Sequence, residues 1–126
     1  LRVDCAQIPD LVPILAVAMA AAEGDSRITG AARLRIKESD RLSAMAAALT
    51  AAGADAAELP DGLAIRGGKP LHAAKIEGCN DHRIVMAMTI ASALSDGEWT
   101  ITDAEATAKS APAFWQEFER LGGRTR

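Results

Sequence analysis

The chain has 126 residues, of which 49% are hydrophobic and 3% aromatic, and its formal net charge is −3. This length and apolar content predict a globular domain with its own core and exclude an intrinsically disordered chain. The acidic balance leaves no basic field for a nucleic acid or an anionic membrane surface, and the longest apolar run, residues 11–22, is shorter than the roughly 20 residues that span a bilayer. Cys5 and Cys79 stand in no metal-ligand spacing, so we expect two reduced, buried thiols.

The first half of the chain alternates between short strands and helices. Residues 1–5 alternate as a strand does, and residues 10–24 predict a helix that is apolar on every side and therefore buried. A second strand is expected over residues 26–31, and a helix over residues 39–52 has one apolar stripe at helical spacing. The members of that stripe are Leu42, Met45, Ala46 and Leu49. A turn at "LPDG" then leads into a strand, "LAIRGG".

The same order of elements restarts in the second half. "AKIEGC" and "EWTITD" predict strands, "NDHRIVMAMTIASAL" predicts a second apolar helix, and "SAPAFWQEFERLGG" predicts a second amphipathic helix. The apolar face of that last helix is Phe114, Phe118 and Leu121. We interpret the pattern as an internal repeat of βαβαββ units at residues 1–70 and 71–126, the alternative being chance similarity between two Ala-rich stretches. The predicted class is α/β (α+β), with helices packed against mixed sheets.

Cations gather where the predicted helices begin. Lys37 and Arg41 flank one helix start, His82 and Arg83 lie in the first turn of another, and Lys109 precedes the last. A helix N-terminus behaves as about half a positive charge, so cations there are favourable when an anion lies between them and the free N–H groups. Strand ends and helix starts share one edge of the sheet in βα units. We therefore predict that these side chains converge on an anionic ligand.

Each of these residues also has a structural interpretation. Lys37 and Glu38 are each followed three residues later by an opposite charge, and such pairs on a helix contribute only about 0.2–0.5 kcal/mol. Asp10 and Asn80 both fit helix N-caps. A lone histidine such as His82 is more often structural than catalytic. The joint occurrence of these residues at equivalent βα junctions favours a binding site.

Four segments together resemble a known family: "IPDLVPILAVAMAAAEG", "RIKESDRLSAM", "NDHRIVMAM" and "ATAKSAPAFW". They resemble the C-terminal part of the 5-enolpyruvylshikimate-3-phosphate synthases, also called 3-phosphoshikimate 1-carboxyvinyltransferases. A related enolpyruvyl transferase that acts on UDP-N-acetylglucosamine shares the fold but lacks the pair of motifs K-E-[ST]-D-R and [ND]-D-H-R. The resemblance implies an inside-out α/β fold with two domains of three βαβαββ units each. Residues 1–126 would then be about two units of the C-terminal domain.

The resemblance also implies a reaction and the residues that serve it. The family transfers the enolpyruvyl group of phosphoenolpyruvate to the 5-hydroxyl of shikimate 3-phosphate and releases phosphate, in chorismate and aromatic amino acid biosynthesis, with no metal or redox cofactor. Asp10 is implied as the base at the 5-hydroxyl, Glu38 as the group that handles protons at the methylene carbon, and Lys37 as a contact to both substrates. The implied contacts to the phosphoenolpyruvate carboxylate and phosphate are Arg41, His82, Arg83 and Lys109.

The family's N-terminal domain supplies a further lysine, two arginines and several Ser and Gln contacts that are outside this chain. That domain is the expected partner, and the chain alone is expected to be inactive. Arg33 stands where some members carry an asparagine that contacts the shikimate phosphate, and no role is assigned to it. The opening Leu1 and the lack of a targeting segment suggest a piece of a longer cytoplasmic enzyme.

Two alternatives remain at this point. The same helix starts suit a non-catalytic anion-binding module, which would bind phosphate without preferring the two substrates. Open sheet edges suit a structural fragment that assembles with copies of itself. A nucleic-acid binder is the least favoured class, because the chain is acidic and has no aromatic residue before Trp99 for base stacking.

Overall fold

The computed structural model describes residues 1–95, 97–109 and 111–125 as alternating short strands and helices. The first six elements are β1 (Arg2–Asp4), α1 (Val12–Ala21), β2 (Asp25–Thr29), α2 (Arg41–Ala51), β3 (Asp55–Leu59) and β4 (Gly62–Arg66). The next four are β5 (Lys75–Ile76), α3 (His82–Ser92), β6 (Thr100–Ile101) and α4 (Phe114–Arg120). Short 3₁₀ turns precede α1, α2 and α4, at Pro9–Leu11, Ala32–Ile36 and Ala104–Lys109.

The strands form two sheets. One has four strands in the order β1-β2-β4-β3, with β1 parallel to β2 and with β4 antiparallel to both of its neighbours. The other is a parallel pair of β5 and β6. Each parallel pair is joined through a helix, α1 or α3, as parallel strands require. Helices therefore pack against mixed sheets, and the predicted α/β class is confirmed.

The predicted βαβαββ order requires a strand between α2 and β4, but no range for it, now β3, was assigned from the sequence. Its five residues, "DAAEL", contain no β-branched or aromatic side chain, so the sequence pattern gave no strand signal. The strand forms because a tight hairpin, closed by the pairing of Leu59 with Gly62, lays it along β4. Gly62 is required where β4 begins, since a Cβ atom there would lie 1.7 Å from the carbonyl oxygen of Ile28 on β2.

One hydrophobic core lies between the four-stranded sheet and the helices α1, α2 and α3. The predicted stripe of α2 is confirmed, because all four of its members are buried. Ile28 and Leu63 contribute to the core from the paired strands β2 and β4, and Ile84 and Met88 contribute from α3. The two halves of the chain thus share one core, which fixes the start of α2 relative to the start of α3.

The prediction that α1 is buried on every side is wrong. Ile14, Ala18 and Ala21 of α1 are exposed, and Ile90 of α3 and the following Leu94 are exposed beside them. We call these five residues the apolar face. They line a shallow trough between the two helices. The two helices pack against each other; α1 also packs on β2 and β4, and α3 packs on β6 and on the turn Ala104–Lys109. The residues that line the trough all lie in or just after these two helices.

The prediction for the last helix is also partly wrong. It begins at Phe114, later than the predicted start near Pro112, while Ser110 lies outside the described residues. None of the residues of α4 is buried, and the predicted face residue Leu121 is exposed. Phe114, Trp115 and Phe118 pack mainly on one another, with ring centroids 5.0–6.3 Å apart. An aromatic cluster thus replaces the expected contact with a sheet.

The two cysteines differ in their burial. Both cysteines are free thiols, but only Cys5 is buried, so the prediction of two buried thiols is wrong for Cys79. Cys79 is exposed because it lies in the loop before α3 rather than in the strand expected there.

Across the described part of the chain, no helix combines the length and the hydropathy that a membrane crossing needs.

Candidate active site

The loop before α3 holds its residues in an uncommon backbone conformation. Cys79 and Asn80 have φ angles of 54° and 50°, in the left-handed region that costs most residues roughly 1–2 kcal/mol. This turn leads directly into Asp81, whose carboxylate accepts a hydrogen bond from the backbone N–H of Arg83 at 3.0 Å. Asp81 is therefore the N-cap of α3, and the prediction of Asn80 is wrong. Both residue types are favoured caps, so the sequence alone did not distinguish them.

Arg41, the first residue of α2, lies at the centre of the site and its side chain is only 2% exposed. Its Nε donates a hydrogen bond to Asp81 Oδ2 at 2.8 Å, and its Nη2 donates to Asp81 Oδ1 at 3.3 Å. The other side of the guanidinium donates from Nη1 to Asp10 Oδ1 at 3.1 Å, and from Nη2 to Glu38 Oε2. One buried cation thus binds three carboxylates from three separate segments of the chain.

The Arg41–Asp81 pair is held in its charged form. Burial alone would lower the pKa of the Arg41 guanidinium, but the hydrogen bonds and charge of Asp81, with the charges of Glu38 and Asp10, raise that pKa above its ordinary value. Burial would likewise raise the pKa of Asp81, yet hydrogen bonds from Arg41 and Ser39 and the Arg41 charge hold it below the usual 3.8. Both groups are therefore ionised at neutral pH.

His82 and Arg83 border the same cluster from the first turn of α3. Nη2 of Arg83 lies 3.8 Å from Asp10 Oδ2, and Nδ1 of His82 lies 3.6 Å from Glu38 Oε2. His82 Nδ1 and Arg83 Nε are buried, and neither atom has a hydrogen-bond partner within the described part of the chain. Unsatisfied buried polar atoms are uncommon in folded proteins. Both of these atoms lie at the same cluster.

The structure brings together five of the seven site residues predicted from the sequence. These are Asp10, Glu38, Arg41, His82 and Arg83. Lys37 directly precedes Glu38 in the chain, and it is exposed. The backbone of Lys109 ends the 3₁₀ turn that packs against α3, but its side chain lies outside the described residues. The convergence of both lysines with the other five residues stays a prediction.

One structural interpretation of the charged residues is wrong, and another is confirmed in part. Asp10 lies within the turn before α1, and the N-cap of that helix is Leu11, so Asp10 is not a cap. Glu38 does pair with Arg41, but it lies before the first residue of α2 and is not part of a helix surface. Asp10 therefore takes part in no capping hydrogen bond and faces the cations instead.

Two arginines hold the segment around Glu38 in place. Arg35 donates hydrogen bonds to Asp40, the N-cap of α2, at 2.9 Å and to the carbonyl oxygen of Leu59 at 2.7 Å. The second bond ties the segment to the hairpin of β3 and β4. Arg33, to which the sequence assigned no role, donates to the carbonyl oxygen of Ala6 in the loop after β1. These contacts fix the backbone that presents Glu38 and Arg41.

Asp81 is the residue of the cluster to which the sequence assigned no role. It is 0% exposed and ion-paired, whereas Asp10 and Glu38 are 53% and 40% exposed at the side chain. The available signal was an acidic residue directly before an apolar helix. A charge that leads into a buried helix needs a partner, because isolated buried charges are strongly unfavourable.

The arrangement suits anions and hydroxyl groups better than a metal ion. Among the described residues, Glu38, Asp81 and His82 each place one potential ligand atom within 4.8 Å of the others. Both of these carboxylates already bind Arg41, whose positive charge opposes a second cation at the same oxygens. The half-exposed carboxylates can instead transfer protons, and the guanidinium groups of Arg41 and Arg83 can bind a substrate carboxylate or phosphate.

The comparison with known sequences identifies the family. The family profile described as EPSP synthase (3-phosphoshikimate 1-carboxyvinyltransferase) matches residues 1–118. A 3-phosphoshikimate 1-carboxyvinyltransferase of Clostridium acetobutylicum is 50% identical over 121 residues, which is 96% of this chain and 28% of that protein. One from Synechococcus sp. (strain CC9605) is 51% identical over 112 residues, 89% of this chain and 25% of that protein. The chain thus spans about a quarter of these relatives.

Solved structures agree with the sequences. A structure of EPSP synthase from Acinetobacter baumannii at 2.37 Å superimposes with a TM-score of 0.81 and 42% identity, covering 87% of this chain and 26% of that one. A second structure from the same organism has a TM-score of 0.80 at 35% identity and covers 90% of this chain and 27% of that one. The match of fold and of sequence extends over nearly the whole chain, which therefore belongs to the EPSP synthase family.

Proposed function

We propose that this chain is part of an enzyme that transfers the enolpyruvyl group of phosphoenolpyruvate to the 5-hydroxyl of shikimate 3-phosphate and releases phosphate. The observation that supports this most strongly is the cluster around Arg41. It joins carboxylates and cations from three segments, residues 10, 38–41 and 81–83. These segments are the ones whose motifs resemble the family. The reaction requires cations for a substrate carboxylate and phosphate, and carboxylates for proton transfer.

In this proposal the substrate carboxylate binds to Arg41 and Arg83. Arg41 already uses one edge of its guanidinium for Asp81, so the substrate would take the edge that now binds Asp10 and Glu38. Displacement would leave both carboxylates without their arginine and close to the substrate. Asp10 would then accept the proton of the 5-hydroxyl, and Glu38 would handle the proton at the methylene carbon.

The exposed Lys37 and the neighbouring His82 complete the proposed set, together with Lys109. Lys37 would contact both substrates, while His82 and Lys109 would contact the phosphoenolpyruvate carboxylate and phosphate. Guanidinium and ammonium groups bind these anions through charge-assisted hydrogen bonds. No metal or redox cofactor takes part in the proposed reaction.

The charge balance of the cluster favours this proposal over a plain anion-binding module. Among the described residues of the cluster, Arg41 and Arg83 are positive, and Asp10, Glu38 and Asp81 are negative. A site that only traps anions gains from an excess of positive charge. A cluster in which carboxylates outnumber the cations suits a ligand pair that offers both anionic groups and a hydroxyl.

We also propose that the chain is about two βαβαββ units of a C-terminal domain, with units at residues 1–70 and 71–126. The element order βαβαββ followed by βαβα supports this division. The exposed apolar face supports it as well, because a patch of this kind in a folded protein is commonly covered by further polypeptide. The family's N-terminal domain would be the partner that closes the cleft, and we expect the complete enzyme in the cytoplasm.

A chimera tests the proposed function directly. In it, this chain replaces the matching segment of the Clostridium acetobutylicum relative, which is 50% identical to it. Phosphate release is then measured with phosphoenolpyruvate, with and without shikimate 3-phosphate. We expect release that depends on both substrates from the chimera, and none from the chain alone, because half of the cleft is outside it.

Matched variants of the chimera assign the activity to the cluster. Arg83→Met removes a cation of the site and should lower the rate by about 10²–10³-fold, as the loss of one preorganised donor does. Arg66→Met removes an exposed arginine that pairs with Asp25 on the sheet and should leave the rate unchanged. A folded chimera without activity, or phosphate release that does not need shikimate 3-phosphate, would contradict the proposal.

A further inference from the structure

We propose that Asp81 is a positioning residue, which holds Arg41 by the Nε edge of its guanidinium so that the opposite edge faces the ligand. This inference rests on the proposed function, since it concerns how the same site is preorganised. Asp81 is not placed to touch a substrate. Its side chain is 0% exposed and lies beneath the half-exposed carboxylates of Asp10 and Glu38.

The carboxylate of Asp81 has each of its oxygens occupied by two donors. Oδ2 accepts from Arg41 Nε at 2.8 Å and from Ser39 Oγ at 2.8 Å. Oδ1 accepts from Arg41 Nη2 at 3.3 Å and from the backbone N–H of Arg83 at 3.0 Å. The lone pairs of the carboxylate are thus committed within the protein, which leaves it no acceptor position for a ligand.

The two contacts to Arg41 define the direction in which its free edge points. A guanidinium is planar and its donors form a rigid fork, so two parallel bonds to one carboxylate fix both its position and its plane. Nη1 and the outer side of Nη2 then face Asp10 and Glu38, at the exposed side of the cluster. Asp10 and Glu38 are exchangeable partners of Arg41, whereas Asp81 is the permanent one.

Asp81 also sets the position of Arg41 relative to Arg83. These are the two arginines proposed for the same substrate carboxylate, and they stand on different helices. Arg41 bonds Asp81 through its side chain, and Arg83 bonds the same carboxylate through its backbone N–H. One buried aspartate therefore connects the start of α2 to the start of α3. The geometry of the two-arginine clamp depends on that connection.

The variant Asp81→Asn tests the inference, because asparagine still caps a helix but cannot accept both bonds from Arg41. Asp25→Asn is the control. Asp25 also accepts a hydrogen bond from an arginine, from Arg66 Nε at 3.2 Å, but it lies at the start of β2 and outside the Arg41 cluster. The readouts on the ¹⁵N-labelled chain are solvent exchange of the Arg41 Nε–H by NMR and the affinity for phosphoenolpyruvate.

We expect Asp81→Asn to speed exchange of the Arg41 Nε–H and to weaken phosphoenolpyruvate binding by about tenfold or more, the loss that an unpaired buried donor brings. Asp25→Asn should change both readouts by less than about twofold. Ser39→Ala, which removes one bond and is milder for folding, should give an intermediate increase in exchange. In an Arg41→Gln background, Asp81→Asn should change the affinity by less than about twofold, because no guanidinium remains to be positioned.

Two results would overturn the inference. One is an Arg41 Nε–H that exchanges equally slowly in the unsubstituted chain and in the Asp81→Asn and Ser39→Ala variants. The other is an equal loss of affinity on Asp81→Asn whether residue 41 is arginine or glutamine, which would mean that Asp81 acts without Arg41. The exchange readout needs no ligand and no turnover. It therefore decides this inference separately from the proposed transfer reaction, which the chimera tests.

Discussion

Replacing Arg41 with methionine tests how much the buried cluster contributes to stability. Methionine fills most of the apolar stem of the arginine but leaves Asp81, which is 0% exposed, without its cation. Asp81 would keep only the hydroxyl of Ser39 and the backbone N–H of Arg83. Removing one partner of a buried ion pair costs about 3–5 kcal/mol. That is a large part of the roughly 5–15 kcal/mol by which domains are stable.

The destabilisation caused by Arg41→Met should depend on pH, and the pKa of Asp81 determines the direction of that dependence. Its pKa in the folded chain lies below the ordinary value of 3.8, because bonds from Arg41 and Ser39 outweigh the effect of burial. The stabilisation is therefore complete above the ordinary value and is lost as the pH falls through the folded-state pKa. In Arg41→Met the buried carboxyl group of Asp81 can take up a proton, so a low pH destabilises the variant less than it destabilises the unsubstituted chain. The difference in the free energy of unfolding between the two proteins should therefore narrow below a pH of about 4.

Urea denaturation followed by circular dichroism measures this free energy of unfolding at neutral and acidic pH. Arg66→Met is the control, because Arg66 and its partner Asp25 are both exposed and their pair should contribute little. Arg41→Met should be clearly destabilised at neutral pH while Arg66→Met is unchanged. A destabilisation below about 1 kcal/mol for Arg41→Met, which is typical of exposed pairs, would contradict a buried ion pair, as would a destabilisation that does not vary with pH.

Three further predictions concern the rest of the fold. Gly62→Ala should lower the free energy of unfolding by about 1–3 kcal/mol or more in thermal melts, because its Cβ would lie 1.7 Å from the carbonyl oxygen of Ile28; an unchanged melting temperature would contradict the hairpin geometry. Cys79 should react with a thiol reagent in the folded chain, while Cys5 should react only after unfolding; two equally reactive thiols would contradict this. The rate of the Cys79 reaction should rise towards alkaline pH, because partial burial and nearby carboxylates raise the pKa of this thiol above 9.0. Leu94→Glu should reduce binding of a hydrophobic fluorescent dye without altering stability, since Leu94 lies on the exposed apolar face; a marked loss of stability would show that the face is buried.

Patterns that depend on local periodicity were readable from the sequence. The apolar stripe of α2 is buried as its spacing predicts, and the alternation of strands and helices gives the correct class. The position of β3 could not be predicted, because "DAAEL" has no strand-forming side chains and forms a strand only through its hairpin with β4. The exposure of Ile14 and Ile90 could not be read either, since an apolar helix does not reveal which segment covers it.

In the candidate site, too, local sequence patterns predicted some residues but not their long-range contacts. Charges at helix starts and their motifs pointed to Asp10, Glu38, Arg41 and Arg83, which the structure brings together. Sequence reasoning assigned Arg41 to the ligand but did not predict its pairing with Asp81, forty residues further along the chain, against which one edge of the guanidinium is buried. Local patterns do not encode a contact at that separation. The contact between Arg41 and Asp81 follows from the packing of α2 against α3.

We propose that the Arg41 cluster is a preformed half of a site for phosphoenolpyruvate. The most direct measurement is a titration of the ¹⁵N-labelled chain with phosphoenolpyruvate, followed by backbone amide NMR shifts, with inorganic phosphate as the comparison. We predict shifts clustered at Asp10, at residues 37–41 and at residues 80–83, larger with phosphoenolpyruvate than with phosphate. A well-dispersed spectrum with no shifts at these residues, or with equal shifts from inorganic phosphate, would contradict the account.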